Sequence, residues 1–516
     1  MRFLGIRDGH DCNVTYTDGT KVRYVKLERN LQLKHYHWEN QSSGDTIPTI
    51  VAEAQKALGV SFRDVDAVCY SYGNVEHKFD RLIEPNELYF KANKNGHPFW
   101  SQFNCPVYKI DHHYAHVLSC WPLIDLEDVK THFVLDGLGD HDRTSGVFQG
   151  GKLVDFSDRI DNLGLSVTME RVGMQAGIKG MVLDVSGKLM ALKSFHGVPD
   201  QLREHIMSKV ESFNYRHLTQ FINVCMSYLQ TLGKDERQTL IDLSYMLHVF
   251  AERKLPDYFS RYVTDRNEPV TYSGGTAQNT VVNTYIRRMY PNLHVPPHCP
   301  DDGISLGCVE LLRTIYDQPH FDKSGFPYWQ SDVAPDSVPT TGTIDAAAEY
   351  LAQGKIVAWY QGNGELGPRA LGNRSILMDP SIKDGKDIIN TKVKKREPYR
   401  PFGASVLLNE TPKHFDCDFD SPYMLYVVDC LNDNFPSIMH VDKTCRIQTV
   451  DDKQPQYQAY YELIDKFYRK TGIPLVLNTS LNVDGKPIAA YPEDARRLFD
   501  SSDLDVLIVG NQVLVK

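Results

Sequence analysis

Short apolar runs broken by Asp-Gly turns open the chain. The segment FLGIRDGHDCNVTYTDGTKVRYVKLE predicts a strand, a tight polar turn, a second strand, a turn at Asp18-Gly19 and a third strand. Residues 66–72 (DAVCYSY) and 131–140 (THFVLDGLGD) read as buried strands running into loops that carry carboxylate or glycine. Ligand sites of α/β sheets lie at such strand ends. From Pro199 to about Tyr262 apolar residues recur three and four apart, which predicts helices packed on a sheet. VTYSGGTAQNTVVNTYI then joins a strand to a glycine turn and a helix. The polar, proline-containing stretch from Asp317 to Gly342 interrupts the pattern. AAAEYLAQGKIVAWYQG restarts it with a helix, a stop at Gly354 and a buried strand. The expectation is an α/β chain of two units, residues 1–335 and 343–516, with no repeat of fixed period and no segment of low complexity.

Length supports two units, because 516 residues exceed what one ordinary core encloses. With 41% hydrophobic and 24% charged residues, the chain is neither disordered, fibrous nor a disulfide scaffold. A formal charge of -10 argues against a generally basic nucleic-acid binder, yet leaves room for local basic surfaces. The ten cysteines are scattered without a C-x-x-C pair, so reduced, mostly buried thiols are expected. The start MRFLGIRDGHDCNV carries Arg7, Asp8 and Asp11, which suits neither a signal peptide nor a membrane span. A soluble cytoplasmic protein without a membrane partner is expected.

HHYAH places His112 and His116 four apart, on one face of a helix, where two imidazoles can share a divalent metal. Alone, the pair reads as core or surface histidine. Asp136, in VLDGLGD, and Asp301, in CPDDGISLG, add hard oxygen ligands, and the mixed set suits iron, manganese or zinc better than calcium. Three glycine turns at strand ends come from distant parts of the chain: Asp8 and Gly9 in GIRDGHD, Asp136 and Gly137 in LDGLGD, and Gly274, Gly275 and Asn279 in SGGTAQN. Together they resemble the phosphate and adenosine loops of the actin, sugar kinase and Hsp70 (ASKHA) fold, and these residues are expected to bind nucleotide.

The second half concentrates cations in an acidic chain: Arg369 and Arg374, Lys392 and Lys394, Arg396 and Arg400, and Arg446. Arg369 and Arg374 sit amid glycine and apolar residues, so partly buried guanidiniums are expected, and a planar anion such as phosphate or carbamate suits them. NTSLN, with Asn478, Ser480 and Asn482, offers short polar groups to orient the same ligand.

The ordered series GHD, HHYAH, LDGLG, GKLMAL, SGGTAQN, DDGISLG, GPRALGNRSI, KKREPYRPF and NTSLN resembles the O-carbamoyltransferases of antibiotic and nodulation-factor biosynthesis over nearly the full length. The resemblance implies an actin-like first domain, related to the universal tRNA threonylcarbamoyl-transferring protein, that binds metal and nucleotide. It implies a YrdC-like second domain that binds carbamoyl phosphate and ATP, the latter with Mg2+, and forms carbamoyl adenylate. Carried over by residue, it makes His112, His116 and Asp301 metal ligands with Asp136 as the fourth, and His10 the base for the acceptor hydroxyl. It makes Arg369, Arg396, Arg400, Arg446 and Ser480 a carbamoyl phosphate pocket, which Arg374, Lys394 and Asn478 are expected to complete. The chain departs from the family at QNTVVN and at SLN, where SFN is common, and these departures bear on the acceptor and the adenine contacts.

Two rivals are weighed. A tRNA threonylcarbamoyl-transfer enzyme would not match the carbamoyl phosphate version of the pocket, and a kinase or ATPase of the ASKHA fold leaves the arginine-rich second half unexplained. The acceptor stays open between a small-molecule or sugar alcohol and 5-hydroxymethylcytosine in DNA. KVRYVKLERNLQLKHYHW and LYFKANKNGHPFW interleave basic and aromatic residues as a nucleic-acid contact would, or as a loop packed on the site. The oligomeric state is also open, a homodimer being one alternative.

Overall fold

The computed structural model describes residues 1–36, 46–71, 82–94, 100–331 and 334–516. Three sheets organise them. The first contains β1 (Phe3–Arg7), β2 (Asn13–Thr17), β3 (Val22–Lys26), β4 (Ala67–Ser71), β5 (Tyr89–Lys91) and β6 (Val107–Ile110), in the order β3-β2-β1-β4-β6-β5. β1, β2 and β3 form an antiparallel meander, β4 runs parallel to β1, and β6 runs parallel to β4.

The second sheet repeats this plan. Its strands are β7 (Thr131–Leu135), β8 (Arg143–Gln149), β9 (Lys152–Asp158), β10 (Val270–Ser273) and β11 (Leu293–His294), ordered β11-β10-β7-β8-β9. Again a three-strand meander is followed by two strands parallel to its first member. The same topology therefore occurs twice in succession along the first half of the chain. The long helix Glu236–Phe259 covers the second sheet, and Phe259 stacks on Phe133 of β7 at a centroid distance of 3.7 Å.

The predicted elements of the first half all form: the three opening strands, the buried strands at 67–71 and 131–135, and helices at 200–209, 218–229 and 236–259. All ten cysteines are free and all but Cys430 are buried. Among the described residues no helix is long and apolar enough to cross a membrane.

The third sheet has eight strands: β12 (Val357–Tyr360), β13 (Arg374–Met378), β14 (Gly403–Leu407), β15 (Tyr426–Asp429), β16 (Thr444–Val450), β17 (Leu475–Ser480), β18 (Val506–Val509) and β19 (Gln512–Val515). Their order is β15-β16-β14-β17-β13-β12-β18-β19. Side chains alternate between faces, as strand geometry demands. Val357 and Trp359 pack with the helices Thr341–Ala352 and Gln458–Thr471, while Ala358 and Tyr360 pack with the helix Pro492–Ser501. Covered faces explain why β12 reads as a continuous apolar run.

The connecting segment is drawn in between the halves. Gln330 bridges to Tyr24 of β3 on one side and to Gly364 on the other. Arg29 Nη2 donates to the Gly367 carbonyl at 2.7 Å, and Thr284 Oγ1 donates to the Val427 carbonyl at 2.7 Å. These contacts join a strand and two helices of the first half to the second.

Candidate functional site

A helix runs from His112 to Leu118, capped by Asp111, whose carboxylate accepts the Tyr114 amide at 2.9 Å. Four-residue spacing puts His112 and His116 on one face, with ring centroids 4.9 Å apart and planes at 89°. Asp136 follows β7, and Asp301 opens the turn before the helix Ile304–Ile315. The two helices can meet because Gly307 has no side chain: a Cβ there would lie 2.0 Å from the Ala115 carbonyl oxygen.

His112 Nε2 lies 2.9 Å from Asp136 Oδ2 and 3.4 Å from Asp301 Oδ1, and His116 Nε2 lies 3.6 and 3.3 Å from the same two oxygens. One ligand atom from each of the four buried side chains falls within 4.8 Å of the others. Burial would depress the His112 pKa, but Asp301 and Asp136 outweigh it and hold it up at about 10. Both aspartates stay well below the usual carboxylate range against their burial, Asp136 through His112 and His116, Asp301 chiefly through Arg7 and His112. His116 Nε2 is buried without a hydrogen-bond partner among the described residues. Two imidazoles and two carboxylates converging on one point fit a divalent cation of the iron, manganese or zinc type.

Each aspartate spends its other oxygen on its own support. Asp301 Oδ2 accepts Arg7 Nη2 at 2.6 Å and lies 3.4 Å from His10 Nε2. Asp136 Oδ1 accepts the Gly275 amide at 2.7 Å. Gly274 makes that approach possible: its φ is +94°, and a Cβ would sit 2.3 Å from the Leu135 carbonyl oxygen. So the loops at Asp8–Gly9, Asp136–Gly137 and Gly274–Gly275 do converge, with the four-ligand cluster between them. Asn279 instead caps the helix Thr280–Met289, accepting the Val282 amide at 3.3 Å.

In the second half, Arg446 of β16 is paired with Gly403 of β14, which is paired with Asn478 of β17. Arg369, Arg396 and Arg400 lie within electrostatic reach of Arg446, and Lys394 within reach of Arg396 and Arg400. Burial first, then mutual repulsion, pushes Arg396 down to about 9 and lowers Arg369, Arg446 and Lys394 as well. Arg400 pairs with Asp484 at 2.7 Å and Glu397 at 3.4 Å. Arg396 Nε donates to Asn390 Oδ1 at 2.7 Å, and Lys394 Nζ donates to the Ser480 carbonyl at 2.7 Å and Asn482 Oδ1 at 2.6 Å. Arg369 and Arg446 form no ion pair among the described residues, and the Nε of each is buried without an acceptor. Guanidiniums held together without countercharge are a site for an anion.

Arg374 does not join them. Its guanidinium lies over the Tyr360 ring at 3.6 Å and donates to the carbonyls of Gln361, Gly362 and Asn373, bracing the loop ahead of Arg369. Asn478 Nδ2 donates to Ser405 Oγ at 3.0 Å, and Ser480 Oγ to Asn482 Oδ1 at 2.6 Å. Of the two basic-aromatic segments, His37, Trp38 and residues 95–99 lie outside the described residues. In the first, Lys26 Nζ meets Asp11, Glu28 and Asp302 at 3.0, 3.0 and 2.6 Å and Lys34 pairs with Asp184 at 2.6 Å, while Lys21 and Arg23 are exposed.

Comparison with known proteins gives these two regions a shared context. The family "Carbamoyltransferase N-terminus" matches residues 83–309, and "Carbamoyltransferase C-terminus" matches residues 348–516. The nodulation protein NolO of Bradyrhizobium diazoefficiens is 31% identical over 78% of this chain and 78% of its own. The chain belongs to the carbamoyltransferase family. It is a transferase. Another relative, the 3'-hydroxymethylcephem-O-carbamoyltransferase of Amycolatopsis lactamdurans, is 29% identical over 64% of each chain. Among solved structures, component A of the (R)-2-hydroxyglutaryl-CoA dehydratase of Acidaminococcus fermentans covers 60% of this chain with 97% of its own, at 13% identity and a TM-score of 0.36. At that score it adds nothing to the strand order.

Several residues beside these clusters are not legible as such in the sequence. Arg7 directly precedes the loop that was singled out, but only the fold brings it to Asp301. Glu170, half-buried on the helix Gly164–Gln175, has its pKa pushed up to about 7 by burial, with His10 and Asp136 in electrostatic reach. Lys188 stands in GKLMAL and pairs with Glu397 across the halves at 2.8 Å; the motif was visible, its partner was not.

Proposed function

We propose that the chain is an ATP-dependent O-carbamoyltransferase in which a YrdC-like second domain makes carbamoyl adenylate and the ASKHA-like first domain passes the carbamoyl group to an acceptor hydroxyl. The observation that carries this reading is the pair Arg369 and Arg446, which have no ion-pair partner among the described residues, beside Arg396, Arg400 and Lys394. Carbamoyl phosphate is a weak donor to a neutral alcohol, so activation followed by attack lowers each barrier. Carbamoyl phosphate, ATP and water give carbamoyl adenylate, phosphate and pyrophosphate, with the cations holding the phosphoryl groups and Mg2+ accompanying ATP.

His112, His116, Asp136 and Asp301 would hold a divalent cation, iron first and manganese or zinc as alternatives. Bound there, it would supply Lewis-acid polarisation of a carbamoyl or phosphoryl oxygen. His10 takes the proton of the acceptor hydroxyl at Nε2; its side chain is 43% exposed, which leaves that nitrogen reachable. AMP leaves as the carbamate ester forms.

The acceptor is a small-molecule or sugar alcohol, or a hydroxymethylated base in DNA. The inward-turned Lys26, Arg29 and Lys34 favour the smaller class. An assay of ATP turnover with and without carbamoyl phosphate tests the reading. Turnover that needs carbamoyl phosphate and yields AMP is expected. Turnover without it would point to a kinase or ATPase.

A further inference from the structure

Asp11 stands between two histidines. Its Oδ1 accepts His35 Nδ1 at 3.0 Å and Lys26 Nζ at 3.0 Å, while its Oδ2 faces His10 Nδ1 at 3.1 Å. Both Asp11 and His35 hold left-handed backbone, with φ of +58° and +52°, a conformation that non-glycine residues keep only where the surroundings enforce it. Those surroundings are visible: the His35 amide donates to Glu28 Oε2 at 2.7 Å, and His35 Nε2 lies 3.3 Å from Asp184 Oδ1. Asp184 is clamped in turn by Lys34 Nζ at 2.6 Å, on the helix Val182–Leu192 whose Lys188 reaches Glu397.

We propose that His35 is a positioning residue for carbamoyl transfer, acting through Asp11 on His10. The inference rests on the reading of His10 as the base. Because His35 and Lys26 occupy one oxygen of Asp11, the carboxylate is turned so that the other is left for His10. Accepting His10 Nδ1–H, Asp11 Oδ2 fixes the ring and leaves Nε2 as the nitrogen for the acceptor hydroxyl. In the step this serves, the hydroxyl proton passes to His10 Nε2, the acceptor oxygen bonds to the carbamoyl carbon, and the bond from that carbon to AMP breaks. His10, now an imidazolium, is stabilised by the Asp11 carboxylate. His35 touches none of the reacting atoms. Its two carboxylate neighbours keep it cationic: burial opposes this, but Asp11 and Asp184 raise its pKa to about 10.

The test uses the full-length, metal-loaded enzyme with carbamoyl phosphate, ATP and, as acceptor probes, 3'-hydroxymethylcephem and a hydroxymethylcytosine duplex, taking whichever the wild type carbamoylates faster. His35→Phe is expected to lower kcat for transfer by roughly tenfold to a hundredfold, part of the 10²–10⁴ a positioned base supplies. KM for the acceptor, metal content and carbamoyl phosphate-dependent pyrophosphate release should stay at wild-type values. His35→Asn, whose amide can donate to Asp11 and whose backbone tolerates left-handed φ, should recover much of the loss. Unchanged kcat in His35→Phe, or a raised KM with kcat intact, overturns the proposal. Loss of pyrophosphate release in both variants also overturns it, because His35 would then be structural. His10→Ala separates this inference from its foundation: if that variant still transfers, the base reading falls, whereas if it is dead while His35→Phe is unaffected, only the positioning role falls.

Discussion

The two charged regions of this protein are opposites in how they are compensated. At the four-ligand corner, Asp136 and Asp301 already hold two imidazoles, Arg7 and a backbone amide, and every carboxylate oxygen has a partner. In the second half, Arg369 and Arg446 are brought beside Arg396 and Arg400 with no ion-pair partner of their own among the described residues. On the proposed reading the first region would be a preorganised nest for one cation, supported by charges that fix the ligands' direction. In the second, burial and mutual repulsion act on the guanidiniums together, and on the proposed reading an anion would relieve them. The difference teaches where each substrate's binding energy goes: the corner needs little rearrangement, whereas the pocket gains stability from the ligand itself.

The strongest way to break the comparison is to remove the nest. The double substitution His112→Ala, His116→Ala should eliminate bound metal, measured by elemental analysis, and cut transfer by more than roughly 100-fold, beyond what loss of an outer-shell partner alone costs. Carbamoyl phosphate-dependent pyrophosphate release should survive, because the pocket lies on the other half. Full metal content in the double variant would show that the four side chains are not the ligands.

Next comes the pocket. Arg446→Ala or Arg396→Ala should each raise the carbamoyl phosphate concentration needed for half saturation by roughly 10- to 150-fold, the equivalent of about 1.5–3 kcal/mol for one lost charge-assisted contact. The same ligand at 100 times its Kd should stabilise the wild type by about 2.7 kcal/mol in thermal melts, and the variants by less at equal concentration. Unchanged saturation curves would mean that these side chains do not hold the donor.

Arg374 sharpens the contrast, since it shares the sequence neighbourhood of Arg369 but not its situation. Arg374→Ala strips donors from three carbonyls and should destabilise the fold by roughly 1–3 kcal/mol. Once folded, it should retain carbamoyl phosphate affinity. A selective loss of affinity at wild-type stability would return Arg374 to the pocket.

How much of this was legible follows from which contacts are local. The HHYAH spacing announces two imidazoles on one helix face, and the glycine turns announce strand ends, because both are properties of a few consecutive residues. The cations of the second half stand out in an acidic chain. What separates Arg374 from Arg369 is the Tyr360 ring beneath its guanidinium and the three carbonyls it donates to, which no spacing encodes. The twofold recurrence of the meander-plus-two topology was equally hidden, since β1–β6 and β7–β11 share strand order but no sequence period. The Lys26, His35 and Asp184 contacts to Asp11 and its neighbours join residues 11 to 184 and depend on two left-handed backbone positions that non-glycine residues rarely announce.

The smallest effect concerns that network and stability. His35 has its pKa raised from 6.5 to about 10 in the folded state, so the stability it contributes is complete below about pH 6.5 and is lost as pH rises through about 10. The difference in Tm between wild type and His35→Asn should therefore be largest in mildly acidic buffer and shrink toward pH 10. A gap independent of pH would show that His35 is not charged between its two carboxylates.

The central claim is that activation in one half precedes transfer in the other, and it is tested most directly by measuring pyrophosphate and carbamoylated product in the same reaction. With carbamoyl phosphate, ATP and a hydroxyl acceptor, the account predicts one pyrophosphate for each product formed, and in His10→Ala continued pyrophosphate release without product. Product formed without stoichiometric pyrophosphate would contradict it, because the hydroxyl would then be attacking carbamoyl phosphate directly.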